Sequence, residues 1–127
     1  MHIDMTESRI EFLENSITCN TICTPTVSDA DTVLPLLKIM SEPNRLKIYS
    51  FLAAGECCVC DIEAFMKLPQ NLVSHHLGVL RDAGYIRARR EGRWVHYSVN
   101  METLAAIYPV ICRLFNPECV SDKKSAC

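Results

Sequence analysis

The sequence predicts a mainly helical α+β domain, in which several helices precede a two-stranded hairpin and one more helix follows it. Two observations lead to this prediction. Apolar residues recur at helical spacing through residues 29–82 and again through residues 101–115, whereas residues 85–99 alternate between apolar and polar around a glycine. A length of 127 residues suits one compact domain with an additional arm rather than two independent domains.

The N-terminal segment is predicted to lie outside this domain. Residues 1–18 have the spacing of a short amphipathic helix, and a polar stretch containing threonine and proline follows it up to residue 28. We therefore divide the chain into a helix and arm over residues 1–28, a core domain over residues 29–116 and a flexible tail over residues 117–127.

The first two core helices are marked by capping signals. Ser41 is the predicted cap of the second helix, with Pro43 in its first turn and Gly55 beyond its end. The apolar residues that keep helical spacing in these two segments are Val33, Leu34, Leu37, Met40, Leu46, Tyr49 and Leu52.

The next two helices are predicted over residues 57–67 and from Pro69 to Gly84. The second of them has two different faces. Its buried stripe consists of Val73, Leu77 and Leu80. Its polar stripe contains no acidic residue and consists of Asn71, Ser74, His75 and Gly78.

The hairpin is predicted over residues 85–90 and Trp94–Val99, with its turn at Gly92. Val95, Tyr97 and Val99 are expected to face inward, with the arginines of the first strand outward. The last helix, Met101–Phe115, contains Pro109, which removes a backbone donor and is expected to kink it. Helices followed by a hairpin and a helix are the element order of a winged helix-turn-helix.

Charge is distributed unevenly along the chain. The net charge is −2, yet residues 67–96 contain six cations against two anions, a local net charge of +4. A solvated hairpin would explain this excess, and so would a DNA-binding face.

No apolar stretch approaches the roughly 18–20 residues that a membrane span needs. The acidic N-terminus also lacks the order of a signal peptide, so we expect a cytoplasmic protein with no membrane partner. Eight cysteines in a reducing cytosol indicate metal binding or thiol chemistry rather than disulfides.

Three motifs occur in order between residues 55 and 97. They are E-x-C-V-C-D at residues 56–61, Q-x-x-V-S-H-H-L at 70–77 and R-R-E-G-R-W-V-H-Y at 89–97. Over residues 30–115 the chain strongly resembles the ArsR/SmtB family of metalloregulatory repressors, with a metal box, a recognition helix and a wing. The resemblance implies a homodimer, joined by its first core helix and its C-terminal dimerisation helix, which leaves its DNA when an ion binds. The expected DNA partner is a double-stranded operator with an imperfect inverted repeat.

The candidate DNA-binding residues fall into two groups. The first group can donate to and accept from base edges in the major groove and consists of Gln70, Asn71, Ser74 and His75. The second group suits phosphate or minor-groove contact and consists of Arg87, Arg89, Arg90 and Arg93. His75 and His76 point about 100° apart on a helix, so they cannot chelate one ion together, and we expect His76 to pack or to form a hydrogen bond.

The resemblance assigns Cys58 and Cys60 as metal ligands, and thiolates select soft ions. Cys57 stands where the family usually has leucine, and it is either a third ligand or a filler of that site. The family's arsenic sensors often carry a third sulfur at the position of Glu63, so the compact arsenic site is incomplete here.

Cys19 and Cys23 have the spacing that the family's cadmium/lead sensors carry in an N-terminal arm. We therefore expect these two arm cysteines to join the box. The predicted inducer is Cd(II) or Pb(II), with As(III) or Sb(III) as the runner-up, and no organic cofactor is expected.

The sequence leaves several alternatives open. A zinc site between the last helices, known in other relatives, lacks its ligands here. Three further cysteines could form a C-terminal thiol site, although core and tail roles are favoured: Cys112, Cys119 and Cys127.

Alternative functions also remain open. A repressor that senses thiol oxidation or persulfides is the main alternative, and a constitutive DNA-binding module with inert cysteines is another. The spacing of Cys57 and Cys60 also occurs in thiol-disulfide oxidoreductases, but the expected helices on both sides argue against an enzyme.

Overall fold

The computed structural model describes residues 26–119 as five α-helices, a small antiparallel sheet and a final 3₁₀ turn. The helices are α1 (Val27–Met40), α2 (Pro43–Leu52), α3 (Val59–Met66), α4 (Gln70–Asp82) and α5 (Met101–Phe115). The strands are β1 (Cys57–Cys58), β2 (Ile86–Glu91) and β3 (Trp94–Val99), in the order β1-β3-β2, and the 3₁₀ turn is Pro117–Cys119. The predicted winged helix-turn-helix is confirmed, and Cys19, Cys23 and Cys127 lie outside the described residues.

α1 begins two residues earlier than predicted because Thr26 and Asp29 form a reciprocal capping box. The Asp29 backbone N–H donates to the Thr26 hydroxyl at 3.2 Å, and the Thr26 N–H donates to the Asp29 carboxylate at 3.0 Å. The cap of α2 is Glu42 instead of the predicted Ser41. Its carboxylate accepts from the Arg45 N–H at 2.9 Å, whereas the Ser41 hydroxyl donates back to the Lys38 carbonyl.

The core lies where α2, α3, α4 and β2 meet. Its buried side chains are Ile48, Leu52, Ile62, Val73, Leu77, Leu80 and Ile86. The predicted buried stripe of α4 is therefore confirmed, and Tyr97 and Val99 pack against the core from β3 as expected. Leu46 of α2 is exposed, whereas Ile48 of the same helix is fully buried.

The segment at residues 57–67 differs from the single helix that the sequence predicted. Cys57 and Cys58 form β1, and the helix begins only at Val59. The reason is tertiary, since β3 offers a free edge whose backbone groups pair with β1. The wing thus has three strands instead of two.

Glycine permits the sharp change of direction between α4 and the wing. Gly84 has a φ of 87°, in the left-handed region that favours glycine, and its N–H donates to the Arg81 carbonyl at 2.9 Å. In β2 and β3, the pairs run from Ile86 opposite Val99 to Glu91 opposite Trp94. The turn between the strands contains Gly92, as predicted.

α5 has the predicted bounds and continues through Pro109 without interruption. It packs against α1, and the Arg113 guanidinium forms a two-point ion pair with the Asp29 carboxylate, with Nη2–Oδ1 at 2.8 Å. Between residues 26 and 119, no helix is both long enough and apolar enough to cross a bilayer.

Candidate nucleic-acid interface and cysteine box

The polar face of α4 is open to solvent along the first turns of the helix. All four residues predicted to contact base edges are exposed there: Gln70, Asn71, Ser74 and His75. They lie opposite the buried stripe, so the core holds the helix while the polar face stays available. Leu72, which the sequence analysis did not single out, is 42% exposed in the same first turn. Its position outside the buried stripe was the available signal, and such an apolar side chain can contact a thymine methyl group.

His75 and His76 point in different directions, as helical geometry predicted. His75 is exposed, whereas only 8% of His76 is accessible. The buried Nδ1 of His76 has no hydrogen-bond partner and lies 3.6 Å from the Glu42 carboxylate, which caps α2. His76 is thus a packing residue between α4 and the start of α2.

The four arginines predicted for DNA contact are all exposed, but they differ in their partners. Arg87 lies 3.1 Å from the Glu102 carboxylate of α5. Arg89 forms a two-point contact with Glu56 and a second ion pair with Glu91 at 3.0 Å. Neither Arg90 nor Arg93 has a hydrogen bond or ion pair within residues 26–119. These two cations require no displacement of a carboxylate before they bind a phosphate.

Glu56 and Arg89 are 33 residues apart in sequence, and sequence reasoning gave no signal of their contact. Hydrogen bonding from Arg89 lowers the pKa of Glu56, and the same contact raises the pKa of Arg89 further above neutrality. Both groups are therefore fully charged at neutral pH. The ion pair joins the wing strand β2 to the residue that directly precedes the cysteine box, which we define as residues 57–60.

Cys57 and Cys58 occupy opposite faces of β1. Cys57 is opposite Tyr97 and Cys58 is opposite His96 in the register with β3, and residues that are directly opposite share a face. Cys57 and Tyr97 both pack against the core. Cys58 lies on the outer face with His96, where Arg89 continues the same row into β2.

Two thiols of the box, Cys57 and Cys60, are protonated at neutral pH. Burial, followed by nearby acidic groups, raises the pKa of Cys57, and burial together with Cys58 and Glu63 raises that of Cys60. The Cys58 thiol lies 3.2 Å from the Asp61 carboxylate, to which it donates. An ion that binds here has to displace protons and this hydrogen bond.

The donor chemistry of the box suits part of a soft-ion site. Cys57, Cys58, Cys60 and Cys112 are free thiols, and Cys60 is exposed at the start of α3. No group of three or more potential ligands is assembled within residues 26–119. Cys58 and Cys60 can offer two sulfurs to a soft ion, and no third potential ligand is grouped with them in the part of the chain that the structure describes. Of the C-terminal alternative, the structure describes the side chain of Cys112, which is half-buried in α5.

A helix-turn-helix with an exposed polar recognition helix and a basic wing defines a DNA-binding regulator of the winged-helix class. Residues 42–88 match the family described as "Bacterial regulatory protein, arsR family". The arsenical resistance operon repressor of Escherichia coli is 31% identical over 110 residues, which cover 74% of this chain and 94% of the relative. This chain belongs to the ArsR/SmtB family and is a transcriptional repressor rather than an enzyme.

Two further similarities extend the comparison. The cadmium resistance transcriptional regulatory protein CadC homolog of Staphylococcus aureus is 37% identical over 71 residues, or 55% of this chain and 59% of that relative. The solved structure described as reduced HlyU from Vibrio cholerae superposes with a TM-score of 0.57 at 30% identity. That similarity covers 70% of this chain and 94% of HlyU.

Proposed function

We propose that this repressor binds operator DNA as a homodimer and dissociates when a soft ion binds Cys58 and Cys60 together with Cys19 and Cys23. The observation that carries the proposal is the position of the box. Cys58 lies in β1, which pairs with the wing strand β3, and Cys60 lies in α3, which packs against the recognition helix α4. The two thiols therefore lie in elements that are packed directly against the wing and against the recognition helix, the two regions assigned to DNA binding.

DNA recognition is assigned to the exposed face of α4 and to the wing. The α4 group of Gln70, Asn71, Ser74 and His75 is suited to base edges in the major groove. The wing arginines Arg87, Arg89, Arg90 and Arg93 are suited to phosphates, which determine affinity more than sequence preference.

Dimerisation is assigned to α1 and α5, which lie against each other. Both helices leave large apolar side chains between 44% and 64% exposed, namely Leu34, Leu37, Tyr108 and Phe115. Burial of these side chains against a second copy would be favourable, at roughly 25 cal/mol per Å² of apolar surface. A two-fold axis between the copies would place two recognition helices on an imperfect inverted repeat.

Cd(II) and Pb(II) are the favoured inducers, and As(III) or Sb(III) is the alternative. The two proposed ligands of the box, Cys58 and Cys60, supply two sulfurs, and Glu63 occupies the position at which a third thiol would complete a compact arsenic site. Relatives described as arsenical and cadmium resistance regulators support a thiophilic inducer without choosing between these ions.

The test measures operator binding by fluorescence anisotropy, with and without CdCl₂, using a duplex selected from a random library by its affinity for the wild type. Cys58→Ser and Cys60→Ser should bind the duplex as the wild type does and fail to release it with Cd(II). Cys112→Ser is the matched control, because it removes a thiol of α5 and should be released normally. Normal release of either box variant would show that the box is not the sensing site.

Thiol oxidation is the second candidate, because the described cysteines are free and a solved relative is described as reduced. The raised pKa of Cys60 opposes it, since oxidants react with the thiolate. Release by peroxide or polysulfide in the absence of metal, with no release by Cd(II), would favour this candidate over the first.

A further inference from the structure

Arg89 is held by carboxylates on two sides. Glu56, just before the box, contacts it at two points, including Nε–Oε2 at 3.4 Å, and Glu91 contacts it at the end of β2. More than half of the Arg89 side chain is nevertheless exposed. The guanidinium therefore faces solvent at the wing while its charge is already paired.

A DNA phosphate and the Glu56 carboxylate would bind the same guanidinium. Arginine presents a planar fork that fits either oxyanion at two points, so the two contacts exclude each other. DNA binding through Arg89 then requires the loss of the Glu56 contact. Arg90 and Arg93 face no such competition, because neither has a carboxylate partner in the part of the chain that the structure describes.

Glu56, whose carboxylate competes with phosphate, is close to the box in sequence, and Arg89 is connected to the box through the sheet. Glu56 is two residues from Cys58, and Cys58, His96 and Arg89 form one row across the three strands. Cys58 and Arg89 therefore share the outer face of the sheet. Their strands are each about 4.8 Å from the β3 strand that lies between them.

We propose that Glu56 is a positioning residue that competes with DNA phosphate for Arg89 and thereby couples the cysteine box to the wing. The inference rests on the proposed function, in which thiolates hold the ion. A divalent ion bound by four thiolates forms a group with a net negative charge. The occupied box therefore adds negative charge to the face that Arg89 shares, which keeps the guanidinium on Glu56 and away from DNA.

The experiment compares the wild type with Glu56→Gln, which keeps the shape of the side chain and removes its charge. Without metal, Glu56→Gln should bind the selected duplex about 2- to 5-fold more tightly, the range expected for the loss of one exposed ion pair. The ratio of the Kd values with and without CdCl₂ should fall by at least the same factor. Its Cd(II) affinity, measured from sulfur-to-metal charge-transfer absorbance, should equal that of the wild type. The double variant Glu56→Gln/Arg89→Gln should lose the gain in DNA affinity, since the gain requires Arg89.

Glu91→Gln is the matched control, because Glu91 also pairs with Arg89 but lies at the far end of β2, 35 residues from Glu56 in sequence, and approaches the box only through His96, at 3.5 Å from Nε2. It should raise DNA affinity in the same way and keep the wild-type release ratio. Arg89→Lys provides a second variant should Glu56→Gln fail to fold. It retains the charge and loses the two-point contact, so its release ratio should fall while its metal-free DNA affinity stays near that of the wild type.

The outcomes separate this inference from the proposed function. Wild-type DNA affinity and a wild-type release ratio in Glu56→Gln would overturn the inference and leave the proposed function standing, and so would an unchanged release ratio in Arg89→Lys. If the wild type shows no release by Cd(II) while Glu56→Gln gains DNA affinity through Arg89, the competition is supported. The proposed ion sensing, and the coupling derived from it, are then overturned.

Discussion

Cys57 and Cys58 are neighbours in sequence and lie on opposite faces of β1, with Cys57 against the core and Cys58 beside His96 on the outer face. The pleat of a strand produces this separation, because successive side chains point to opposite sides. Two adjacent thiols of the same motif therefore have different surroundings and are expected to have different roles.

Replacing Cys57 by alanine should leave Cd(II) affinity and the operator response unchanged. The variant removes a side chain that packs against the core, so its free energy of unfolding should fall by about 1 kcal/mol. Urea unfolding and Cd(II) titration measure the two quantities separately. A loss of Cd(II) affinity comparable with that of Cys58→Ser would mean that Cys57 is a ligand.

The double variant Cys19→Ser/Cys23→Ser tests the contribution of the arm. We expect a strong loss of Cd(II) affinity and a lower thiolate-to-metal absorbance, because only the two box sulfurs would remain. Cys119→Ser/Cys127→Ser is the matched control, since it removes two thiols from the other end of the chain. Wild-type affinity and spectrum in the arm variant would exclude these cysteines as ligands.

Arg90→Ala and Arg93→Ala should weaken binding to all DNA sequences. Each loss of a phosphate contact should lower the slope of log K against log salt concentration by about 0.9. Arg87→Ala should have a smaller effect on affinity, because Arg87 has to leave Glu102 before it binds a phosphate. Anisotropy titrations at several salt concentrations provide the slopes, and a slope unchanged in both Arg90→Ala and Arg93→Ala would contradict phosphate contact.

Asn71→Ala should reduce discrimination between sequences more than overall affinity. A lost base-edge contact costs about 1–3 kcal/mol on the selected duplex, while the affinity for a mixed-sequence duplex should hardly change. The measurement is the ratio of the two Kd values, with Arg90→Ala as a comparison in which both should weaken together. If Asn71→Ala weakens both equally, Asn71 does not read bases.

Asp29 predicts a pH dependence of stability. Hydrogen bonding from Arg113 lowers the pKa of Asp29 from 3.8 to about 2, with a further contribution from the Thr26 N–H. Because the folded pKa lies below the unfolded one, the stabilisation is complete above pH 3.8 and is lost as the pH falls towards 2. Asp29→Asn should therefore have a lower Tm than the wild type at pH 6, and the difference should shrink below pH 4. Asp31→Asn, on the exposed side of α1, is the control, and a difference independent of pH would show that the charge of Asp29 is not responsible.

The sequence by itself determined the winged helix-turn-helix, the buried stripe of α4 and the bounds of α5. These features depend on the periodicity of apolar residues and on turn residues such as Gly84 and Gly92, which are local properties of the chain. The three motifs also indicated the family, because each of them falls within a short stretch of the sequence. The four base-contact candidates on α4 are exposed as a set for the same reason, although their contacts with DNA stay predictions.

Only the tertiary structure decided how the cysteine box is arranged. The pairing of β1 with β3 converts Cys57 and Cys58 from a helix start into a strand and places their side chains on opposite faces. The same folding brings Glu56 to Arg89, 33 residues away, and Glu102 to Arg87, whereas Arg90 and Arg93 have no such partner within residues 26–119. Such contacts depend on which strand edge is free and on which side chains meet across it, and no local pattern of residues encodes either.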